Sequence, residues 1–257
     1  MTHKPRLSYH SEAVPADSEF KNAREAWRRE LYHDSDLRQQ ALDFQIQLDR
    51  HRYTYQFEWL GVPIVRLPDD IMVLQELIFA ERPDCIVETG IARGGSLVLN
   101  ASLQMLCGLE PRVLGVDLDI FPHTRTAIGS SPVSSGIELI EGDSSSSDIA
   151  RVVDSFRMGA DKVLLILDSD HSHSHVLKEL ESLAVALPRN SLILVADTVV
   201  EEMPDTYYPN RHWGVGNSPL TALREFMRNH PEYINDNRWG RRAAVTEFRD
   251  GFMRKIT

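Results

Sequence analysis

Five short apolar segments alternate with helical patterns between residue 84 and about residue 230, and this alternation constrains the fold more than any other feature. Several of the segments are continuous apolar runs, which are typical of parallel strands buried on both faces of a sheet. Each helical stretch can serve as the crossover between two parallel strands. The sequence therefore predicts an α/β fold in which helices flank a parallel sheet, with strands at residues 85–88, 112–117, 137–143, 162–168 and 191–196.

The first 60 residues have a different pattern and are predicted to form an extension. Residues 1 to about 17 are polar with mixed charges, and we expect a loose arm there. Residues 18–55 repeat apolar side chains at helical spacing, which indicates one or two helices. We expect an arm and N-terminal helical extension over residues 1–60 and one main domain over residues 61–257.

Further elements are predicted on either side of the alternating region. Residues 59–64 are apolar but contain glycine and proline, which indicates a turn with a short extended piece. Asp69 or Asp70 is expected to cap the helix that follows. Near the C-terminus, residues 233–234 and 243–248 are candidate strands.

Composition narrows the possible partners and the compartment. The chain has 257 residues and a formal net charge of -10, which argues against a nucleic-acid partner because phosphate binding requires a basic surface. Two cysteines, Cys85 and Cys107, are too few for a disulfide framework and favour a reducing cytoplasm. No segment has the length or apolarity of a signal peptide or membrane span, so we expect no membrane association. The expected partner is a small molecule.

Each predicted strand ends in or beside an acidic residue. In an open α/β sheet, ligands bind outside the carboxyl ends of the strands. Turns and helix caps also use aspartate, but that explanation must account for every strand end at once. The pattern favours a ligand site built from these carboxylates: Glu88, Asp117, Asp143, Asp168 and Asp197.

The turn after the first predicted strand contains glycine but matches no phosphate-binding fingerprint. Gly90, Gly94 and Gly95 do not fit GxGxxG, and no Gly-Lys-Ser/Thr follows. Glycine allows the backbone to approach a ligand closely. The carboxylate of Glu88 suits a cationic group better than a pyrophosphate, which favours S-adenosylmethionine. Asp117 would accept the ribose hydroxyls, although a nicotinamide dinucleotide is a competing interpretation of that acid.

A second acidic cluster follows the fourth and fifth predicted strands. Asp168 and Asp197 can lie side by side and offer the oxygen ligands that Mg²⁺ prefers. His171 would stand beside the metal as a general base. Two other interpretations remain open. The histidines at positions 171, 173 and 175 could be solvated residues at a helix N-terminus, or they could bind zinc, although no HExxH pattern is present.

A long loop follows the fifth predicted strand. Residues 203–219 are rich in aromatic residues, glycine and proline, and a loop of this length is often a functional lid. We expect it to cover the substrate, with an oligomer contact as the alternative. The substrate residues would be Tyr207, Tyr208 and Trp213, because flat apolar faces stack on a sugar or a polyketide ring.

Four motifs together resemble the cephalosporin-hydroxylase-type methyltransferases, a family that includes rhamnosyl O-methyltransferases. The motifs lie at residues 59–63, 87–96, 115–119 and 168–176. The resemblance implies a Rossmann-like class I methyltransferase sheet and a homo-oligomer. It also implies an S-adenosylmethionine-dependent, Mg²⁺-assisted O-methyltransferase that acts on a hydroxyl of a sugar or glycosylated natural product.

The same resemblance implies roles for the second acidic cluster. Asp168 and Asp197 become metal ligands, with Asp168 also counted as catalytic. Asp170 lies near the methyl donor, and His171 is the base. The family pattern has Glu-Asp-Thr where this chain has Ala196, Asp197 and Thr198. Either the metal is weakly bound or dispensable, or Glu201, Glu202 or a water takes the missing position.

The expected cofactor site follows from the acidic residues at the strand ends and from the family resemblance together. Glu88 and nearby backbone would hold the methionine part, Asp117 the ribose, and Asp143 with Ser144 the adenine. Three rival functions remain: an NAD-dependent oxidoreductase, an iron-dependent hydroxylase and a non-enzymatic interaction module. The full set of expected cofactor-binding residues is Glu88, Thr89, Gly90, Arg93, Ser96, Asp117, Asp119, Asp143, Ser144 and Asp170.

Overall fold

The structure is a computed structural model, and it describes residues 17–204 and 207–257. Its strands are β1 (Phe57–Trp59), β2 (Val62–Ile64), β3 (Cys85–Thr89), β4 (Val113–Asp117), β5 (Ile137–Glu141), β6 (Val163–Leu167), β7 (Leu192–Val195), β8 (Tyr233–Asn235) and β9 (Phe252–Lys255). Its α-helices are α1 (Asp17–His33), α2 (Ser35–Asp49), α3 (Pro68–Glu81), α4 (Gly95–Leu106), α5 (Pro122–Gly129), α6 (Ser147–Phe156), α7 (His173–Glu179), α8 (Pro219–Asn229) and α9 (Asn237–Gly240).

Seven of the strands form one sheet in the order β5-β4-β3-β6-β7-β9-β8. The first five are parallel, and β9 runs antiparallel to both of its neighbours. This arrangement confirms the predicted α/β class with a largely parallel sheet. The strand order reverses between β3 and β6, so the ends of these two strands mark the position where such sheets bind ligands.

Both faces of the sheet are covered, which explains why the strand segments are continuously apolar. Along β6, Leu164 and Ile166 belong to one apolar cluster, while Val163, Leu165 and Leu167 belong to the other. All five side chains are at most 2% exposed. Since alternate residues of a strand point to opposite faces, helices must cover both sides of β6.

The expected N-terminal helices are α1 and α2, and a β1–β2 hairpin follows them. Leu60 and Gly61 form the hairpin turn with φ values of 50° and 79°. Two consecutive positive φ values are typical of a type I′ turn, which matches the twist of a hairpin. The domain boundary expected between residues 60 and 61 stays a prediction. Residues 1–16 of the expected arm lie outside the described residues.

The predicted strand at residues 243–248 was wrong. These residues form an irregular segment with bends, and the last strand of the sheet along the chain is β9. The reason lies in α3, where the buried Asp70 carboxylate accepts a hydrogen bond from the Thr246 hydroxyl and one from Glu247 N at 2.9 Å. The Asp70 carboxylate therefore pairs with the backbone N–H of Glu247, which in a strand would have bonded to the neighbouring strand.

The predicted helix cap at Asp69 or Asp70 was also wrong. The cap position is Leu67, which makes no side-chain capping bond, and Pro68 begins the helix. Proline suits this position because its fixed φ is helical and its missing N–H would have had no helical partner. Within the part of the chain that the structure describes, no helix is long and apolar enough to cross a membrane.

Candidate active site

A cleft of about 1230 Å³ opens at the carboxyl ends of the parallel strands. It lies beside the point where the strand order reverses. Eight of the ten expected cofactor residues line it, namely Glu88, Gly90, Arg93, Ser96, Asp117, Asp143, Ser144 and Asp170. Thr89 and Asp119 are not among the lining residues. Thr89 is fully buried, and Asp119 is exposed beyond the end of β4.

The glycine turn after β3 is shaped by a close approach of two chain segments. Gly90 has a φ of 78°, and a Cβ atom added there would lie 2.0 Å from the carbonyl oxygen of Asp168. Asp117 Oδ2 accepts hydrogen bonds from Ile91 N at 2.9 Å and Ala92 N at 3.3 Å. One oxygen of Asp117 therefore holds the turn itself. The expected contact of Asp117 with a ribose stays a prediction.

Glu88 lies at the floor of the cleft and is fully buried. Its carboxylate accepts hydrogen bonds from Arg66 at 3.3 Å and from Asn100 Nδ2 at 2.9 Å. Burial raises the pKa of Glu88 to about 7, although Arg66 acts in the opposite direction. Both oxygens have protein partners, so the expected role of Glu88 toward a methionine group stays a prediction.

The expected adenine-side residues lie at the end of β5. Asp143 Oδ1 accepts hydrogen bonds from the backbone N of Ser145 at 2.9 Å and from its hydroxyl at 2.8 Å. The Ser144 hydroxyl lies 3.2 Å from His175 Nε2. These local bonds fix the loop between β5 and α6, and they leave the adenine contact as a prediction.

Asp168, His171 and Asp197 meet at the ends of β6 and β7. His171 Nε2 lies 3.5 Å from Asp168 Oδ1 and 3.5 Å from Asp197 Oδ2. One ligand atom from each of the three residues lies within 4.8 Å of the others. The sequence-based expectation that these three residues share one site is therefore met in their geometry, while their chemical roles stay predictions.

The pKa values of this cluster reflect burial and close charges. Burial opposes protonation of His171, but Asp197 and Asp168 outweigh it and raise the pKa of His171 to about 9. Burial and the nearby Asp168 raise the pKa of Asp197 to about 6. Burial also disfavours the charged form of Asp168, but Arg66 and His171 hold its pKa below the ordinary value.

Arg66 is a central residue that the sequence analysis missed. Its side chain is buried, forms an ion pair with Asp168 Oδ2 at 3.0 Å and donates a hydrogen bond to Glu88. The guanidinium also lies 5.0 Å from the ring centroid of Phe248. The only signal in the sequence is a single arginine inside an apolar segment, at residues 62–67. A buried arginine normally has such partners, because an unpaired buried charge is costly.

The aromatic loop contributes one wall of the cleft. Trp213 lies 5.0 Å from the His171 ring and 4.7 Å from the Tyr208 ring, measured between centroids. The Tyr207 hydroxyl donates to Asp49 Oδ2 at 2.7 Å, which ties the loop to α2. Residues 205 and 206 of the expected lid lie outside the described residues. All three expected substrate residues line the cleft.

The other two histidines of the motif, His173 and His175, contact residues outside the cluster of Asp168, His171 and Asp197. His173 Nε2 lies 3.2 Å from Glu225, and its Nδ1 lies 2.8 Å from the Thr221 hydroxyl. His175 pairs with Glu179 at 3.6 Å. The zinc and iron interpretations both need a second histidine beside His171, and neither His173 nor His175 is placed to supply it.

The donor set fits a hard cation. Mg²⁺ binds oxygen ligands, needs few of them from the protein, and keeps waters or substrate oxygens as the rest. Asp168 and Asp197 present two carboxylates to the same point, with His171 between them. The residues that would hold Mg²⁺ are therefore Asp168 and Asp197.

The sheet order, the glycine turn and the acidic strand ends define a Rossmann-like enzyme of the methyltransferase type. The family model described as Rhamnosyl O-methyltransferase/CmcI matches residues 51–256, and the chain belongs to this family. The match confirms the resemblance found in the motifs and the expected enzyme class of O-methyltransferase.

Individual relatives agree with this assignment. A rhamnosyl O-methyltransferase of Mycobacterium leprae is 28% identical over 200 residues, which cover 76% of this chain and 81% of the relative. One of Mycobacterium bovis is 26% identical over 200 residues, with 76% of each chain covered.

Solved structures show the same fold. An apo structure of CmcI has a TM-score of 0.57 at 18% identity, covering 79% of this chain and 77% of that one. The Mg-SAM form of CmcI has a TM-score of 0.53 at 18% identity, covering 79% and 78%.

Proposed function

We propose that this chain transfers the methyl group of S-adenosylmethionine to a hydroxyl of a sugar or glycosylated small molecule. One observation carries the proposal. Asp168, His171 and Asp197 meet in a cleft that is lined by a glycine turn and by aromatic rings. The glycine turn suits the methyl donor, the aromatic rings suit the acceptor, and the three residues are the reactive groups of the same cleft.

The acidic floor of the cleft supports S-adenosylmethionine as the methyl donor. This molecule carries a sulfonium and an ammonium, and carboxylates at the strand ends attract positive charge. Asp117 keeps one carboxylate oxygen for a ligand after the other has bound the turn. The CmcI structure of the same family was solved as an Mg-SAM form, which also supports this donor.

The proposed reaction needs a base and accurate positioning. The acceptor oxygen attacks the methyl carbon in line, the carbon–sulfur bond breaks, and its electron pair goes to sulfur to give S-adenosylhomocysteine. The hydroxyl proton goes to His171 Nε2, which must be neutral to accept it. When bound by Asp168 and Asp197, Mg²⁺ would supply Lewis-acid polarisation of the hydroxyl. Since the sulfonium is already an activated leaving group, positioning by the cleft walls provides much of the rate.

The aromatic wall supports a ring-shaped acceptor. Tyr208 and Trp213 present flat faces beside His171, and such faces stack on the apolar side of a sugar. The mycobacterial relatives are rhamnosyl O-methyltransferases, which favours a sugar hydroxyl.

Two measurements test the function. Calorimetry should detect binding of S-adenosylmethionine but not of NAD, and mass spectrometry should detect a labelled methyl group on a glycoside from a panel of rhamnosides and other sugars.

Two variants test the roles of individual residues. His171→Ala should lower kcat by roughly 10²–10⁴-fold with donor affinity unchanged. Trp213→Ala should mainly raise the KM of the acceptor. Binding of NAD alone would overturn the proposal.

The proposed enzyme is a homo-oligomer with the N-terminal helices at its contacts. Large apolar side chains on these helices support this arrangement, because Trp27 is 54% exposed and Phe44 is 53% exposed. Sedimentation should show more than one copy, and Trp27→Glu with Phe44→Glu should shift the protein toward a monomer.

A further inference from the structure

The position before Asp197 lacks the carboxylate that the family motif has there. Ala196 occupies it and is 1% exposed. The two nearest glutamates along the chain are engaged in other contacts. Glu201 Oε2 accepts from the Ser218 hydroxyl at 2.6 Å and from Gly216 N at 3.0 Å. Glu202 pairs with Arg249 at 2.7 Å and Arg38 at 3.2 Å. Neither Glu201 nor Glu202 lines the cleft.

Glu247 reaches the same place from the C-terminal segment. Its backbone oxygen accepts from the Thr198 hydroxyl at 3.3 Å and from Val199 N at 3.4 Å, directly after Asp197. Its backbone N donates to Asp70 Oδ2 at 2.9 Å. These bonds hold residue 247 on both sides, and Glu247 is one of the residues that line the cleft.

The Glu247 carboxylate has no hydrogen-bond or ion-pair partner among residues 17–204 and 207–257. It lies outside the group of ligand atoms formed by Asp168, His171 and Asp197. A glutamate side chain has three rotatable bonds, so its carboxylate can move toward that group without a change in the backbone.

The charges around this carboxylate do not balance. Four other carboxylates lie in the same region, and two cationic side chains face them. Burial raises the pKa of Glu247 well above the ordinary value, with Asp197 and Asp70 acting in the same direction. A cation would relieve this repulsion, because buried like charges are costly unless they are paired or bind metal. The acidic residues are Asp70, Glu88, Asp168, Asp197 and Glu247, and the cationic ones are Arg66 and His171.

We propose that Glu247 is the third carboxylate ligand of a Mg²⁺ site formed with Asp168 and Asp197. It takes the place of the acid that the family motif has directly before the aspartate, where this chain has Ala196. This inference rests on the proposed function and assigns the metal site one more residue. Three carboxylates together with waters and a substrate oxygen make a suitable oxygen set for Mg²⁺.

The test compares Mg²⁺ affinity in three variants of the full chain by calorimetry after treatment with EDTA and dialysis. Loss of a residue that only hydrogen-bonds to a metal ligand already lowers metal affinity by about 10–100-fold. Glu247→Gln should therefore weaken Mg²⁺ binding by at least about tenfold. Glu201→Gln and Glu202→Gln are matched controls, because both change a glutamate close to Asp197, and each should stay within about twofold of the unaltered chain. Equal affinity in the Glu247→Gln variant would overturn the proposal.

Thermal unfolding separates a ligand from a structural residue. Without Mg²⁺, Glu247→Gln should have a Tm equal to or above that of the unaltered chain, because glutamine keeps the size of the side chain and is neutral among the neighbouring carboxylates. The rise in Tm on adding Mg²⁺ should be smaller in the variant. A lower Tm without metal, combined with an unchanged Mg²⁺-induced rise, would instead make Glu247 structural.

The unaltered chain provides the last control. If it binds no Mg²⁺ in calorimetry, the proposal fails. Calorimetry with S-adenosylmethionine and methyl transfer in EDTA then show whether the proposed methyltransferase function still stands.

Discussion

Arg66 forms an ion pair with Asp168 Oδ2 at 3.0 Å, and the same guanidinium nitrogen donates a hydrogen bond to Glu88 Oε1 at 3.3 Å. One buried cation thereby joins the ends of β3 and β6, the two strands at which the sheet order reverses. Since Glu88 is fully buried and Asp168 largely so, Arg66 compensates two charges that water reaches poorly. The fold at the cleft floor and the charge of the site therefore depend on the same side chain.

Replacement of Arg66 should destabilise the protein strongly. Arg66→Met removes the cation but keeps much of the volume, which leaves two buried carboxylates without their partner. Breaking a buried ion pair on one side costs about 3–5 kcal/mol. Urea unfolding should show a loss of this size. The control is Arg151→Met, because Arg151 and its partner Asp148 are 78% and 82% exposed, and this loss should stay below about 1 kcal/mol. A small effect of Arg66→Met would show that water compensates the two acids.

Activity should rise with pH when no metal is present. His171 accepts the proton only when neutral, and its pKa is raised to about 9 by the two aspartates. In EDTA, kcat/KM should therefore increase about tenfold per pH unit between pH 6 and 8 and level off near pH 9. Added Mg²⁺ should shift this rise to lower pH, because positive charge at Asp168 and Asp197 lowers the pKa of a nearby histidine. A flat profile in EDTA would argue against His171 as the base.

The parallel sheet could be predicted because its signal is local. The strands β3, β4, β6 and β7 are apolar runs buried on both faces, whereas the edge strand β5 contains Glu138 and Glu141. The helix α8 has a serine cap and a proline at its start. These features depend on residues that are neighbours in the chain. The antiparallel strand β9 could not be predicted in this way, because Arg254 and Lys255 give it a mixed pattern no more strand-like than that of residues 243–248.

The site was only partly predictable, for a related reason. Asp168, His171 and Asp197 lie within four residues of the ends of two neighbouring strands, so the sheet geometry itself brings them together. Arg66 and Glu247 enter the site through tertiary packing of segments that precede and follow the parallel strands. An isolated arginine or glutamate is normally exposed, so the sequence contains no pattern that separates these two residues from other surface charges.

His175 should stabilise the protein more at low pH than at high pH. The Glu179 carboxylate, 3.6 Å away, raises the pKa of His175 above 6.5, although burial acts against this. The contribution is fully present below the unfolded pKa of about 6.5 and is lost as pH rises through the higher folded pKa. His175→Gln should therefore cost about 0.5–1 kcal/mol more at pH 5.5 than at pH 8.5 in urea unfolding. His51→Gln, which removes an exposed histidine, is the comparison variant. An equal cost of His175→Gln at both pH values would contradict the assignment.

Gly90 should tolerate no side chain, and Gly159 provides a matched comparison. Their φ values are 78° and 80°, so alanine meets the same backbone penalty of about 1–2 kcal/mol at both positions. A Cβ at residue 159 meets nothing within 4 Å, whereas a Cβ at residue 90 lies 2.0 Å from Asp168 O. Gly90→Ala must push β3 and β6 apart at their ends, which adds about 1–3 kcal/mol and moves Asp168 away from His171. In urea unfolding and methyl-transfer assays, Gly159→Ala should lose only stability, while Gly90→Ala should lose more stability and nearly all activity. Equal losses in the two variants would mean that the contact between Gly90 and Asp168 can relax without disturbing the site.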